Sequence, residues 1–389
     1  MNRLFSFFLF ILLYVPVFAQ APGSFLVPWP NDVPYPTPQE IEFPEGAVHY
    51  IVQDCDTDPT YKFLHETAVG IDNGQLIVGW YNNFQSELKG KTLQRARRSN
   101  DLGKTWSDVE TVLDKDNDKG LMYVGLQFFN IGEKFYGLTN VEIYGNEQLV
   151  DCRLIDYNSA AKTWRQLGPI APRFLSMQQP LLMDDGNYIV SGSYNPIPNG
   201  HNGIIPCVYI SQGEDVSRPW KRVILADEYI NVFAETAIIP DGKNILAVTR
   251  LENNPFPAFY ESVDFGRSWR QIENRTFAAT HSKFAAGKLR SGLRYIVYNL
   301  PDFKRDDNGK ILLEGMSRNR RTLVIAIAKP GEASFSKIWK VSDNTTETKQ
   351  NASHYPCVLE YEGKLYISYT GQHKQRNAAL TVIPVESLQ

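Results

Sequence analysis

An eight-residue pattern occurs twice in this chain, and it restricts the folds open to it more than any other feature. Ser99-Asn100-Asp101-Leu102-Gly103-Lys104-Thr105-Trp106 and Ser262-Val263-Asp264-Phe265-Gly266-Arg267-Ser268-Trp269 both read S-x-D-x-G-x-[TS]-W. The pattern specifies a tight hairpin turn. The aspartate caps its own loop backbone, the glycine supplies a positive φ, and the tryptophan packs under the turn. Each copy follows a β-rich stretch, and further markers set a period around them. Trp106, Trp164, Trp220, Trp269 and Trp339 are separated by 58, 56, 49 and 70 residues. Gly74, Gly132, Gly186, Gly242, Gly292 and Gly363, each between two apolar runs, are separated by 58, 54, 56, 50 and 71. Asp156 to Trp164 and Ser211 to Trp220 read as diverged copies of the first pattern. Repeats of about 40–50 residues or more, with four short strands each, mark a β-propeller.

Six turn glycines imply six repeats. The sixth begins near Gly363, and the chain reaches Gln389 before a full outer strand is formed. The strand-like run Ala47 to Val52 is the natural closing strand, because pairing it into the last blade removes a sheet edge. The expected fold is therefore all-β: one six-bladed β-propeller of four-stranded antiparallel blades over residues 45–389, with the N-terminal strand closing the last blade.

Ahead of it, Met1-Asn2-Arg3 gives a basic start, and Leu4 to Val17 is an apolar run of 14 residues, too short for a typical membrane span. Val17-Phe18-Ala19 fits a cleavage site, so residues 1–19 read as a signal peptide and 20–44 as an extended, Pro-rich lead-in. The expected location is secreted or periplasmic, with no membrane span after cleavage. Lys plus Arg is 40 against 43 Asp plus Glu, a net charge of -3, which excludes nucleic acid as the default partner. Cys55, Cys152, Cys207 and Cys357 form no CxxC pair, so neither a zinc site nor any other cofactor is expected. Cys152 and Cys207 hold similar places in adjacent repeats and are the one pair open to a disulfide. A monomer is expected.

In a propeller, the starts of the inner strands and the ends of the second strands meet at one axial mouth. The inner-strand starts read Phe63 to Thr67, Met177 to Pro180 with Gln178 and Gln179, Phe233 to Thr236, Thr280 to Phe284, and Ser353 to Pro356. Second-strand ends include Tyr81, Tyr194 and Arg250. Ionisable and polar residues from nearly every blade thus converge on one place. Arg376 and His373, in the last loop, read as surface residues.

The S-x-D-x-G-x-[TS]-W copies resemble the Asp-box, or BNR, repeat of the sialidase superfamily, and the likeness extends over the whole mature chain at the level of repeats. Glu235, an apolar hairpin and then Arg250 resemble the sialidase stretch in which a Glu and a carboxylate-binding Arg share a blade. His354-Tyr355-Pro356 resembles the stretch that carries the sialidase tyrosine. The resemblance implies Tyr355 as nucleophile, Glu235 as its base and Arg250 as the partner of a substrate carboxylate. It departs in the first blade, where His65-Glu66-Thr67 stands in place of an Arg-Ile-Pro motif. It also departs where a third carboxylate-binding arginine is expected, since His281 and Lys283 stand there. His65 and Glu66 join Tyr355 and Glu235 as candidate catalytic residues, with Glu66 and Glu87 the candidate acids. Arg250, His281, Lys283, Gln178, Gln179, Tyr194 and Glu87 are the candidate substrate-binding residues. The implied function is an exo-acting glycoside hydrolase releasing a terminal, acidic sugar from a glycan. Two alternatives remain: a polysaccharide lyase cleaving a uronate-containing glycan by β-elimination, and a non-catalytic glycan-binding propeller.

Overall fold

The turn glycines mark the joints of the fold. In the computed structural model, which describes residues 28–87, 92–114, 120–144, 148–197, 205–226, 233–344, 351–372 and 376–389, each of the six sits between an inner strand and its neighbour at positive φ. In the first and last blades the joint is a two-residue turn. Asn73-Gly74 connects Asp72 to its partner Gln75, and Glu362-Gly363 connects Tyr361 to Lys364. Both residues of each turn have positive φ, the geometry that matches the twist of the flanking strands.

The described residues form six antiparallel sheets. The inner strands of blades one, two, four, five and six are Phe63–Asp72, Leu121–Ile131, Thr236–Asp241, Ala285–Lys288 and Ala352–Tyr361. Blade three has a broken inner strand, Phe174–Ser176 and Leu181–Leu182, both paired to Tyr188–Tyr194. The closing strand is Val48–Asp54, which pairs with Arg376–Pro384 and completes blade six. Every sheet is covered on both faces by its neighbours, so the core is divided into six seams. Leu64, Val78 and Trp80 of blade one, for example, meet Cys357, Tyr366 and Leu380 of blade six, with Val52 of the closing strand in the same cluster.

Both Asp-boxes join the third strand of a blade to the fourth. In the first, Asp101 Oδ1 accepts from the Thr105 backbone N–H at 2.8 Å and Oδ2 from the Thr105 hydroxyl at 2.6 Å, while Ser99 Oγ accepts from the Gly103 N–H at 2.8 Å. In the second, Asp264 makes the same bonds to Ser268 at 2.9 and 2.7 Å, and Ser262 to Gly266 at 2.9 Å. A side chain at Gly266 would meet Ile189 of blade three at 2.9 Å, so the box also clasps a blade to the preceding one.

Blade five is the longest repeat because its second and third strands, Arg294–Arg305 and Ile311–Ala328, extend into a protruding hairpin. The lead-in packs against blades four and five: Trp29, Tyr35 and Ile41 are buried in that seam, and Tyr35 Oη lies 2.6 Å from Tyr298 Oη. The expected signal segment, residues 1–19, lies outside the described residues, as does the beginning of the lead-in. No helix among the described residues is long and apolar enough to cross a membrane. The disulfide left open for Cys152 and Cys207 is not formed: all four cysteines are free and buried, and these two pack as apolar side chains in the seam between blades two and three.

Candidate active site

Three neighbouring inner strands carry the same irregularity at the mouth. Pairing slips between His354 and Cys357 in blade six, between His65 and Ala68 in blade one, and between Val124 and Leu126 in blade two. At these bulges Tyr355, Glu66 and Gly125 have φ of 59°, 48° and 59°. Positive φ is costly for Tyr and Glu, and such strain is held where surrounding structure enforces it. The bulges turn Tyr355 and Glu66 towards a pocket of about 410 Å³ at the axial mouth. Gly125 makes room for Glu66: a Cβ there would stand 2.5 Å from Glu66 Oε2.

Tyr355 donates to Glu235 Oε1 at 2.7 Å. Arg250 Nη1 donates to Glu235 Oε2 at 2.8 Å and lies 3.2 Å from Tyr355 Oη, while its Nη2 donates to Glu252 at 2.9 Å. These contacts join blades four and six, because Glu235 stands just before the inner strand of blade four and Arg250 just after its second strand. Burial raises the Tyr355 pKa well above the usual phenol value, and Glu235 raises it further, so the group is a neutral phenol with a carboxylate positioned to take its proton. Burial works against the charge of Arg250, but Glu235, Tyr355 and Glu252 outweigh it and its pKa is raised.

The His65 ring is tilted against that of Tyr355, with 4.3 Å between ring centres, and its Nδ1 pairs with Thr370 Oγ1 at 3.1 Å. Burial, then the charges of Arg376 and other cations, hold its pKa well below the usual value. The ring is therefore neutral, and its 3.8 Å approach to Glu87 is not an ion pair. Glu66 and Glu87 both line the pocket but differ in setting. Burial pushes the Glu66 carboxyl up to about 7, whereas Glu87 is 46% exposed and accepts from Tyr81 Oη at 3.3 Å.

The arginine content of the pocket departs from the sequence-based expectation. Arg376, read from sequence as a surface residue, lines the pocket, with its guanidinium over the Phe63 ring at 4.4 Å and 3.5 Å from Glu87. Arg320 supplies the arginine that was missing beside His281 and Lys283. It lies 5.5 Å from the centre of the Tyr355 ring and donates to the His281 carbonyl at 2.9 Å. Among the described residues it has no carboxylate partner. It comes from the third strand of blade five, beyond the protruding hairpin, where pairing slips between Leu300 and Asp302. The extra length of that repeat was the available signal. Sequence reasoning also missed Glu142, at the end of the second strand of blade two, and the apolar wall of Val124 and Leu175.

Five expected substrate-binding residues do not line the pocket. Gln178 stitches blade three to blades four and five, donating to Ala286 O at 2.6 Å and exchanging bonds with the Ile238 backbone. Gln179 donates to Val358 O at 3.1 Å, and Tyr194 lies under the Arg222 guanidinium at 3.7 Å. Both glutamines fall in the break of the blade-three strand, and they satisfy backbone groups on the inner strands of blades four, five and six. His281 sits behind Arg320, 4.0 Å from Glu252, and Lys283 is fully buried. Among the described residues no cluster of three or more His, Cys, Asp or Glu side chains is arranged to hold a metal ion.

Comparison with known proteins agrees with this architecture. A search of curated protein sequences finds no match. Trypanosoma rangeli sialidase in complex with sialic acid superposes with a TM-score of 0.61 at 14% identity, over 90% of this chain and 60% of that one, so this chain spans 60% of that sialidase's length. A Hadza microbial sialidase, Hz136, gives 0.66 at 12% identity over 87% and 69%. A protein of unknown function from Dyadobacter fermentans gives 0.62 at 12% identity over 87% and 99%. At these identities the likeness establishes the fold. The sequence profile of the BNR repeat-like domain matches residues 153–367, more than half of the chain, and the protein therefore belongs to the BNR repeat-like family, with the six-bladed fold of the sialidases.

Proposed function

We propose that the protein is a secreted, exo-acting glycoside hydrolase that releases a terminal acidic sugar from glycans, with Tyr355 as its nucleophile. The observation that carries this reading is the 2.7 Å bond between Tyr355 Oη and Glu235 Oε1 inside a pocket lined by three arginines. A phenol is a weak nucleophile until a base takes its proton, and Glu235 is in place to do so. Being neutral beforehand, the phenol does not repel a substrate carboxylate, as a nucleophilic Asp or Glu would.

In this reaction Tyr355 passes its proton to Glu235 and bonds to the anomeric carbon, while Glu66 protonates the departing glycosidic oxygen. Water then attacks the same carbon and gives a proton to Glu66; the phenolate leaves and regains its proton from Glu235. Glu66 is favoured over Glu87 as the acid because a carboxyl titrating at about 7 still carries its proton near neutrality. Arg250 is held by two carboxylates and fixes Glu235 in place. Arg320 is the cation left for the substrate carboxylate. Export rests on the signal-like residues 1–19, and the sialidase named in the comparisons, bound to sialic acid, supports the substrate class.

The test is product analysis of the purified protein on a panel of acidic and neutral glycans. The expected product is a free acidic monosaccharide. An unsaturated product absorbing in the far ultraviolet would instead identify β-elimination, and no turnover on any glycan would leave a binding propeller. Arg320→Ala should weaken binding of the acidic substrate by roughly 2 kcal/mol or more, and by much less once the carboxylate is esterified. Equal loss on both forms would reject carboxylate recognition.

A further inference from the structure

The bulge that presents Tyr355 lies on an inner strand, which has a partner strand on one side only. Backbone groups on its other side face the axis, and they need bonds from elsewhere. Tyr355 and Pro356 are left out of the strand pairing, which runs through Ser353 and His354, stops, and resumes at Cys357 and Val358. Both shoulders of this gap are fastened by side chains of other blades. On the near side, Asn299 of blade five donates from Nδ2 to Ser353 O at 2.7 Å. Ser353 Oγ is also reached by Ser342 Oγ at 2.8 Å and by Asn344 Nδ2 at 2.9 Å. On the far side, Gln179 of blade three donates from Nε2 to Val358 O at 3.1 Å, with its Oε1 3.9 Å from Cys357 Sγ. Gln127 Oε1 of blade two stands 3.8 Å from the same sulfur. Blade three is opposite blade six in a ring of six, so Gln179 spans the axis to make its bond.

We infer that Gln179 and Asn299 are positioning residues for Tyr355: two carboxamides, one from across the axis and one from the adjacent blade, pin the shoulders of the bulge and so hold the phenol on Glu235. Tyr355 stands at φ 59°, a conformation that persists only where its surroundings enforce it. The bonds of its hydroxyl to Glu235 and Arg250 hold the tip of the side chain, and the two carboxamides fix the backbone from which that side chain starts. Pro356, inside the gap, has no N–H with which to restore the ladder. Neither Gln179 nor Asn299 lines the pocket, so each acts through the backbone of blade six. Asn299 is fully buried, and its Nδ2 also lies 3.3 Å from Arg320 O and from Thr322 O. One carboxamide thus ties the strand that carries Arg320 to the strand that carries Tyr355. A reacting group must be placed to a fraction of an ångström, which is the work of such supporting bonds. The kinetic consequence of this inference rests on the role proposed above for Tyr355; the placement of the side chain does not.

The experiment is carbon-13 NMR of the full chain labelled at the tyrosine Cζ, which responds to hydrogen bonding of the phenol, with Tyr355→Phe used to assign the Tyr355 signal. Gln179→Met and Asn299→Leu keep approximate size and remove the amide. Each should move the Tyr355 signal or split it, while Asp264→Ala, which weakens the fold away from the axis, should leave it in place. A signal unchanged in either folded amide variant overturns the role of that residue. A signal that moves as far in Asp264→Ala overturns both roles, because it then follows stability alone. Should neither amide variant fold, a high-resolution crystal structure of the wild-type chain decides. Both carboxamides bonded to blade six uphold the inference, and either one turned away with residue 355 still at positive φ overturns it. Once a substrate is in hand, kcat should fall by about tenfold or more in both variants with KM changed far less, since a misplaced nucleophile slows the bound complex without hindering its formation. A raised KM at unchanged kcat would contradict a positioning role. If no glycan is turned over, the glycosidase reading falls while the NMR result still decides how Tyr355 is held.

Discussion

Tyr355 is held at a positive φ with its hydroxyl bonded to a buried carboxylate, so its role is separable from its packing. Tyr355→Phe keeps the ring against His65 and removes only the hydroxyl; Glu235→Gln keeps shape and removes the base. Each should cut turnover on the identified substrate by about two orders of magnitude or more, as steady-state kinetics would measure; calorimetry should show thermal unfolding little changed in Tyr355→Phe, whereas Glu235→Gln removes one of the two carboxylates that hold the buried Arg250 and should also lower stability. Arg250→Ala is a poorer probe, because it strands Glu235 as an uncompensated buried charge, a change that typically costs about 3–5 kcal/mol of stability. Glu66 yields a prediction independent of any substrate. Its folded pKa, about 7, lies above the ordinary value of 4.5, so the unfolded chain releases this proton first as pH rises. The stability linked to Glu66 is fully present below the ordinary value and is lost as pH climbs through about 7, by roughly 3 kcal/mol in all. Urea unfolding at pH 5 and pH 8 should therefore show a smaller difference for Glu66→Gln than for wild type, and an equal difference would remove the burial argument for this carboxyl.

At the scale of the element, the Asp-box turn and the inner-strand bulge are opposite cases. The box is satisfied by its own residues: Asp264 bonds within four residues of itself, and so does Asp101. Its cost on mutation is therefore local. Asp264→Ala should lower stability by roughly 1–2 kcal/mol through lost capping, read as a shifted denaturation midpoint, and leave the kcat of folded protein unchanged. A drop in kcat at full folding would contradict a purely structural box. The bulges are satisfied across blades instead. Glu66 needs a glycine at residue 125 in the adjacent blade, and Tyr355 needs Glu235 from a blade further round. Nothing in either local stretch announces the positive φ.

The whole molecule depends on closure of the ring. Val52 is 1% exposed in the seam between blades six and one, on the strand that supplies the last outer edge. Val52→Asp would bury an unpaired carboxylate at that junction and should destabilise the chain by about 3 kcal/mol or more. Because His65 and Glu66 stand on one side of this junction and Tyr355 on the other, the variant should also lose substrate turnover. Calorimetry together with size-exclusion chromatography would detect unfolding and edge-to-edge association. Wild-type stability in Val52→Asp would mean that the N-terminal strand is an appendage and not a closure.

The turn chemistry, the number of blades, the closing strand and the Tyr355, Glu235 and Arg250 trio were legible in the chain alone. The first three rest on short-range rules and on a fixed repeat spacing, an aspartate capping its own loop and a glycine at a hairpin, whereas the trio was implied by the resemblance of its stretches to those of the sialidase superfamily. Arg320 and Arg376 were not legible, nor was the retreat of Gln178, Gln179 and Tyr194 from the pocket. Arginines on strands and in loops look alike in sequence, whichever face they serve. Which of them enters the pocket depends on a pairing slip near Leu300, on the length of a hairpin and on the angle at which six sheets meet. Those quantities exist only once the ring has closed, because the pocket belongs to the axis, and no single blade contains the axis.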